Sequence, residues 1–369
     1  MNGTVISADD HIDLRWLPKD VWTRRLPSNL KDRGPRVEET DGGPYWVCDG
    51  KKMGPWGAYT AAQGSGAKWA IESAGLMEEG VLRPTIPELR LADMDRDGIA
   101  ASIMYGPTDP FVIDDPDLRR ECYRAFDDFV FDFSAAMPDR LIAVPQICPD
   151  DPLAARDELE RVAKRGVRHV NLLAARANPP VYDDAWEPFW TLAEETGIPV
   201  GFHLAVIVQR QRIDNGIVAR AMGGIGTGPQ LTEPIIGLIL TGMLDRHPRL
   251  KLVMAESGLA WIPHVIQTLD RFDKRVKDGR ASYGGQAGPA LLPSEYFARQ
   301  IWMTFQEDAY GIQMLPLLYE DKVMWASDYP HPASTWPNSQ QIIQDQVQHL
   351  PAATQRKLLF ENARALYGL

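Results

Sequence analysis

Eight short apolar segments, most of them alternating with helix-like segments, constrain the fold of this chain more than any other feature. Continuous apolar runs of this length are typical of parallel strands that are buried on both faces. Alternation of such strands with helices predicts an α/β fold, and eight units in 369 residues fit a (β/α)8 TIM barrel. The segments lie at residues 4–6, 99–105, 141–145, 167–173, 198–203, 250–255, 300–305 and 323–327.

Two long insertions are expected to distort this barrel. Residues 14–85 follow strand one and residues 205–230 follow strand five. We expect residues 1–369 to form a single domain, with 14–85 as a lid or a packed subdomain and 205–230 as a pocket loop. A doubly wound open sheet is the alternative, but it would carry a phosphate-binding turn after strand one, where this chain has Asp9-Asp10-His11.

Charge and composition exclude several classes of partner. The net charge of −11, with no long basic run, argues against a nucleic acid or an anionic membrane as the partner. No apolar run is long enough to span a bilayer. The three cysteines are far apart and the first residues lack a signal-peptide pattern, so we expect a cytoplasmic protein. The tryptophans of the first insertion could serve a lid or a homodimer interface.

Polar side chains that can bind a metal stand at the ends of several predicted strands. Asp9 and His11 follow strand one, and residues two apart on an extended backbone point to the same side. The carboxyl ends of the strands share one mouth in a (β/α)8 barrel, so the candidates should converge there. The others are Asn171 in strand four, His203 at the end of strand five, Glu256 after strand six and Asp328 after strand eight.

The chemistry of this set favours a bound cation. Carboxylates that meet in a low-dielectric cavity repel one another, and a divalent ion removes that repulsion. Mixed imidazole and carboxylate ligands suit zinc, iron or manganese. We expect one divalent transition metal, zinc first and iron or manganese next, with two ions as the alternative. The competing interpretations are a turn cap for Asp328, a core histidine for His203 and a helix cap for Glu256.

Three further residues are candidates for substrate binding. His331 lies close in sequence to Asp328 and could contact the substrate, although a plain loop histidine explains it equally well. Arg210 and Arg212 make the second insertion locally basic and could receive an anionic substrate tail, with a solvated loop as the alternative. Of the other histidines, His169 is expected to be structural, His247 and His349 to lie at the surface, and His264 to lie beyond the strand ends.

Five motifs together resemble the amidohydrolase superfamily, and most closely the branch that includes aminocarboxymuconate-semialdehyde decarboxylase. They are Ser7–His11, Gly201–His203, Ala255–Gly258, Trp325–His331 with Thr335–Pro337, and Glu361–Tyr367. The resemblance implies a distorted (β/α)8 barrel with a metal held by the strand-one pair, His203 and Asp328. It also implies that Asp328 handles the proton of the metal-bound water.

Three departures from the family pattern bear on function. The commonest first motif is His-x-His, and here it is Asp9-x-His11. The decarboxylases usually have a histidine after strand six, where this chain has Glu256. Strand four lacks the lysine that bridges two metals in dinuclear members, and Asn171 lies near that place, as a second-metal ligand or as a residue that orients a neighbour.

These residues predict a metal-dependent hydrolase of a small organic substrate. Water activated by the metal would attack the carbonyl carbon of an amide, ester or thioester. Asp328 would take the proton of that water and later protonate the leaving group, while Glu256 supports the metal centre. A metal-dependent non-oxidative decarboxylase of the same fold is the alternative, and a non-catalytic metal-binding barrel is the third.

Overall fold

The computed structural model describes residues 4–41, 43–57, 82–108, 111, 113–204, 228–285, 287–331 and 333–369. The second insertion is therefore described only at its end, and Arg210 and Arg212 lie outside the described residues. None of the helices in the described ranges is both long enough and apolar enough to cross a bilayer.

Parallel strands taken in chain order form the centre of the fold. One sheet has the order β1-β5-β6 and the other the order β7-β8-β9-β10-β11-β12. Their bounds are β1 Val5–His11, β5 Ile99–Tyr105, β6 Leu141–Ala143, β7 Gln146–Ile147, β8 Val170–Leu172, β9 Val200–His203, β10 Leu252–Ala255, β11 Ile301–Phe305 and β12 Val323–Trp325.

The two sheets are continuous around a barrel. β6 and β7 are one barrel strand that is interrupted at Val144 and Pro145, where proline lacks the N–H that a ladder needs. On the other side, the Asp328 N–H donates to the Asp9 carbonyl at 2.9 Å, and the His11 N–H donates to the Tyr329 carbonyl at 2.7 Å. The fold is a distorted (β/α)8 barrel, as the sequence predicts.

Helices cover the outside of the strands. Gly197, with φ of 68°, ends the helix Glu187–Thr196 in the left-handed conformation that glycine favours. Before β10, Gly242 with φ of 73° lies between two separate helices. The helices are α1 Val21–Arg25, α2 Pro87–Asp97, α3 Pro116–Ser134, α4 Pro152–Ala163, α5 Glu187–Thr196, α6 Thr232–Leu240, α7 Met243–Arg246, α8 Ile262–Lys277, α9 Pro293–Gln300, α10 Ala309–Gln313, α11 Ser339–Val347, α12 Ala352–Arg356 and α13 Asn362–Tyr367, with a π-helical turn at Lys357–Glu361.

The first insertion contains a small sheet that the sequence pattern did not reveal. β2 (Arg36–Thr40), β3 (Gly43–Cys48) and β4 (Lys51–Pro55) pair antiparallel. Trp22 of α1 and Trp46 of β3 are fully buried against each other, with ring centroids 4.6 Å apart. The described part of this insertion is therefore packed structure rather than irregular chain. A lid, a homodimer interface and a cytoplasmic location stay predictions.

The two faces of the strands lie in different cores. Ile6 and Ala8 of β1 pack inside the barrel with Ile103, Val253 and Met324. The alternate residues of the strands pack outward against the helices, as Val5 does. The inner and outer positions of every strand can therefore be assigned, and this assignment decides which side chains reach the barrel mouth.

Candidate metal centre

Asp9, His11 and His203 come together at the carboxyl ends of β1 and β9. Asp9 Oδ1 lies 3.6 Å from His11 Nε2 and 3.4 Å from His203 Nε2. Asp328 joins them from the loop after β12, with its Oδ1 3.3 Å from His11 Nε2. All four side chains are at most 1% exposed. The four ligands expected from the sequence therefore share one buried site.

A β-bulge brings the first pair to this site. The prediction that strand one ends at residue 6 is wrong, because β1 continues to His11. Its pairing with β5 shifts register between Ser7 and Asp10. Strict alternation after Ile6 and Ala8 would turn Asp9 outward, whereas the extra residue of a bulge lets it face inward.

Asp328 and Glu256 hold their positions through an unusual backbone conformation. Their φ angles are 62° and 51°, in the left-handed region that residues other than glycine seldom adopt. Each lies just after the end of its strand, β12 or β10. Such conformations are found disproportionately at functional sites, where the surrounding structure holds them in place.

The donor atoms of this cluster fit a cation. Within the described part of the chain, both oxygens of Asp9 and the Nε2 atoms of His11 and His203 are buried without a hydrogen bond. Buried polar atoms without partners are rare. Ligands about 2.1 Å from a tetrahedral cation lie roughly 3.4 Å apart, which matches the observed spacings. Although burial opposes it, the Asp9 and Glu256 carboxylates raise the pKa of His203 to about 9, so the site attracts positive charge.

Backbone carbonyls orient the two imidazoles. The Nδ1–H of His203 donates to the Leu204 carbonyl at 2.7 Å, and the Nδ1–H of His11 faces the Gly106 carbonyl at 3.4 Å. A carbonyl only accepts, so Nδ1 carries a proton and Nε2 is the nitrogen left to face a cation. This is the arrangement by which proteins usually prepare a histidine to bind a metal.

His331 lies beside the cluster and links two carboxylates. Its ring stacks on His11 with centroids 3.9 Å apart. Its Nε2 is 2.6 Å from Asp13 Oδ2, and its Nδ1 is 2.8 Å from Asp328 Oδ1. The two carboxylates raise the pKa of His331 well above its usual value, against the effect of burial. Because both nitrogens face carboxylates, the geometry favours a positioning role over direct contact with substrate.

Glu256 lies at the edge of the cluster. Its Oε2 is 3.5 Å from His203 Nε2, and its side chain is 27% exposed, whereas the four buried residues are closed to solvent. Burial and the nearby Asp328 carboxylate raise the pKa of Glu256 to about 8. The residue therefore adjoins the position of the cation from the open side of the site.

Both the oxygen and the nitrogen of the Asn171 amide form hydrogen bonds inside the protein. Its Oδ1 accepts the His203 N–H at 3.2 Å, and its Nδ2 donates to Gln146 Oε1 at 2.5 Å. Gln146 is held in turn by the Pro107 carbonyl, to which its Nε2 donates at 2.8 Å. All of these groups are buried. The geometry supports the orienting role over a role as a second-metal ligand.

We therefore expect Asn171→Leu to weaken metal binding by about 10- to 100-fold, as loss of outer-shell support typically does. At saturating metal the variant should still bind the wild-type number of ions. Competition with a chelator measures the affinity, and elemental analysis measures the stoichiometry. Asn178→Leu, at an exposed amide between β8 and α5, is the matched control. A drop from two ions to one in Asn171→Leu would instead identify a second-metal ligand.

Two other histidines have structural surroundings. His169 is buried, with Nε2 2.7 Å from the Tyr105 hydroxyl and Nδ1 2.9 Å from the Pro199 carbonyl. Burial lowers the pKa of His169 to about 3, so it stays neutral. The expectation that His247 is exposed is wrong, because it is 4% exposed and faces Glu187 Oε1 at 2.9 Å.

Sequence reasoning missed the role of Asp10, which faces away from the metal cluster. Its carboxylate accepts from Ser7 Oγ at 2.8 Å, from Ser327 Oγ at 2.6 Å and from the Ser102 hydroxyl. The fully buried Arg90 of α2 donates to the His11 carbonyl at 2.8 Å and lies 4.0 Å from Asp10. This network ties β1 to β5 and to the loop after β12. Asp9 and Asp10 differ only in the face of the strand that each occupies.

Fold and site together define a parallel (β/α)8 barrel with a mixed imidazole and carboxylate centre at the carboxyl ends of its strands. The amidohydrolase family model matches residues 74–369, and the chain belongs to this family. It is an enzyme of the amidohydrolase superfamily, as its motifs indicate. Gamma-resorcylate decarboxylase from Rhizobium sp. (strain MTP-10005) is 25% identical over 77% of this chain and 88% of its own length.

Solved structures support the same assignment. The amidohydrolase map2389c from Mycobacterium avium subsp. paratuberculosis K-10 has a TM-score of 0.75 at 22% identity and covers 100% of this chain and 99% of its own. The 5-carboxyvanillate decarboxylase LigW from Sphingomonas paucimobilis has a TM-score of 0.64 at 25% identity and covers 76% of this chain and 82% of its own. A 5-carboxyvanillate decarboxylase from Novosphingobium aromaticivorans, with bound manganese, has a TM-score of 0.67 at 18% identity and covers 100% of this chain and 97% of its own.

Proposed function

We propose that the chain is a divalent-metal-dependent, non-oxidative decarboxylase of an aromatic carboxylic acid. The observation that carries the proposal is a buried set of metal-ligating atoms on Asp9, His11 and His203 that have no hydrogen bond within the described residues. The chain also covers 88% of the length of a relative that is a decarboxylase. This reverses the order of the two functions expected from the sequence. The relatives favour manganese over zinc, since manganese is bound in one of the structural neighbours.

In this reaction the bond between the ring carbon and the carboxyl carbon breaks, its electron pair stays on the ring, and a proton replaces the carbon dioxide that leaves. A divalent cation held by Asp9, His11, His203 and Asp328 would supply a Lewis acid for the oxygens of the substrate. No water is consumed.

The proton has a path through this chain's own residues. Asp13 is 15% exposed, and His331 connects it to the buried Asp328 through contacts of 2.6 and 2.8 Å. We assign Asp328 as the residue that passes the proton to the ring and His331 as the residue that positions Asp328. Although burial opposes it, His331 and His11 hold the pKa of Asp328 well below its usual value, so Asp328 gives up a proton readily. Glu256 borders the same space and assists there.

Hydrolysis of a neutral amide, ester or thioester is the second candidate, and Glu256 is the observation that favours it. This residue adds a carboxylate at the edge of a site that already contains Asp9 and Asp328. Once Glu256 is ionised, the three carboxylates repel an anionic acid more than they repel a neutral carbonyl compound. A neutral substrate would remove that difficulty.

We expect the manganese-loaded protein to convert gamma-resorcylate or 5-carboxyvanillate with one carbon dioxide per phenolic product. Headspace analysis measures the gas, and chromatography measures the product. Asp328→Asn is the control for contaminating enzymes and should release none. Cleavage of a test ester or amide without carbon dioxide would establish the hydrolase instead. Tight metal binding with no turnover of any probe would support the non-catalytic barrel.

A further inference from the structure

Gln306 directly follows strand seven of the barrel, β11, and has no part in the site described above. Trp302 packs with the inner core, and the Thr304 hydroxyl accepts the Glu256 N–H at 2.8 Å, whereas Met303 and Phe305 pack outward. Gln306 follows in the bend immediately beyond β11, and continuing this alternation by one residue places it on the inner side.

Gln306 lies between the two strand ends that carry Glu256 and Asp328. β11 pairs with β10 on one side and with β12 on the other. The pairing continues past β12, since the Ala326 N–H donates to the Phe305 carbonyl at 2.9 Å. The inner position after β11 is thus flanked by the mouth positions of strands six and eight.

The Gln306 side chain has an unused donor. Its Nε2 is buried and makes no hydrogen bond with any part of the chain that the structure describes. The backbone at this position is already secured, because Gln346 Nε2 donates to the Gln306 carbonyl at 2.8 Å and Gln346 Oε1 accepts the Asp308 N–H at 2.6 Å. A rigidly held residue with an unsatisfied buried N–H fits a group that meets its partner only when a ligand binds.

An anionic substrate needs such a donor at this place. On one side, Asp328 offers only carboxylate oxygens, which accept but cannot donate, and on the other side Glu256 loses its donor as soon as it ionises. A neutral amide contributes an N–H without adding charge. We infer that Gln306 donates its Nε2–H to the carboxylate of the substrate and so selects an acid over its decarboxylated product. This inference rests on the proposed function, since it assumes an aromatic acid as substrate.

The test compares an acid with the matching phenol. Gamma-resorcylate carries the carboxylate and resorcinol lacks it. In the manganese-loaded protein, Gln306→Leu should raise the KM for gamma-resorcylate, or its Kd by calorimetry, about 10- to 100-fold. Binding of resorcinol and the metal content should not change. Gln306→Glu should weaken the binding of gamma-resorcylate further, because the substitution adds a negative charge. Gln313→Leu, at an exposed glutamine that ends α10, is the control.

The outcomes separate this inference from the proposed function. Carbon dioxide release with the same KM in wild type and Gln306→Leu would overturn the inference and keep the decarboxylase. An equal loss of affinity for gamma-resorcylate and resorcinol, or a loss of metal, would show that Gln306 has a structural role and would also overturn the inference. A wild type that binds gamma-resorcylate without releasing carbon dioxide would contradict the proposed function. The ratio of the Kd of Gln306→Leu to that of wild type for gamma-resorcylate would then test the role of Gln306. A wild type that binds neither probe overturns the inference.

Discussion

His203→Ala should lose most of its bound metal and at least about 10³-fold in turnover. His203 Nε2 is buried beside Asp9 with no hydrogen bond in the described part of the chain, so its proposed partner is the cation. Loss of an outer-shell residue typically lowers metal affinity or activity 10- to 100-fold, and loss of a ligand should exceed that. Elemental analysis of protein purified without added metal measures the first effect, and the carbon dioxide assay measures the second.

The matched control is His264→Ala, which removes an exposed histidine from α8 and should keep wild-type metal content. One equivalent of metal in His203→Ala, with normal turnover, would exclude His203 as a ligand. The same analysis of Glu256→Gln counts the ions. One equivalent in both wild type and Glu256→Gln indicates a mononuclear site with Glu256 as a helper. Two equivalents that fall to one would make the site dinuclear and favour hydrolysis.

Arg90→Met should destabilise the folded protein by about 3–5 kcal/mol, the usual effect of breaking a buried charge pair. Arg90 is 0% exposed and donates to the His11 carbonyl and, at 3.2 Å, to Ser102 Oγ. Methionine fills similar space but leaves the Asp10 carboxylate buried without its nearby positive charge. Urea denaturation measures the change in the free energy of unfolding.

The control for this prediction is on the same helix. Arg96 is exposed and lies 5.5 Å from the Trp336 ring, so Arg96→Met should change stability by less than about 1 kcal/mol. The double variant Arg90→Met with Asp10→Asn should recover part of the loss, because it removes the unpaired charge. A loss below 1 kcal/mol in Arg90→Met alone would show that the network contributes little to folding.

The strand pattern was sufficient to predict the barrel and the convergence of the proposed ligands. Parallel strands in a barrel bring all their carboxyl ends to one mouth, so strand order brings together the strand ends that carry Asp9, His203 and Asp328. The antiparallel β2–β4 sheet was not predictable in the same way. Its strands are mostly half exposed and lie among turn residues, so they show no clean hydrophobic period.

The function depended on more than the residue types. Glu256 in place of the usual histidine favours hydrolysis, whereas gamma-resorcylate decarboxylase and 5-carboxyvanillate decarboxylase are among the relatives. A single carboxylate does not determine which bond is broken, because its effect depends on the donors and charges around it. Gln306 and the pair of His331 with Asp13 became visible only once the strand ends were placed in space.

The sequence by itself determined the number and order of the barrel strands, and with them the family and the residues at each strand end. Tertiary structure decided which way those residues face. The bulge between Ser7 and Asp10 lets Asp9 and His11 join the cluster while Asp10 turns to Arg90. The left-handed backbone conformation of Glu256 and Asp328 could not be predicted from the sequence either. Both features are set by contacts between strands far apart in the chain, which local periodicity does not record.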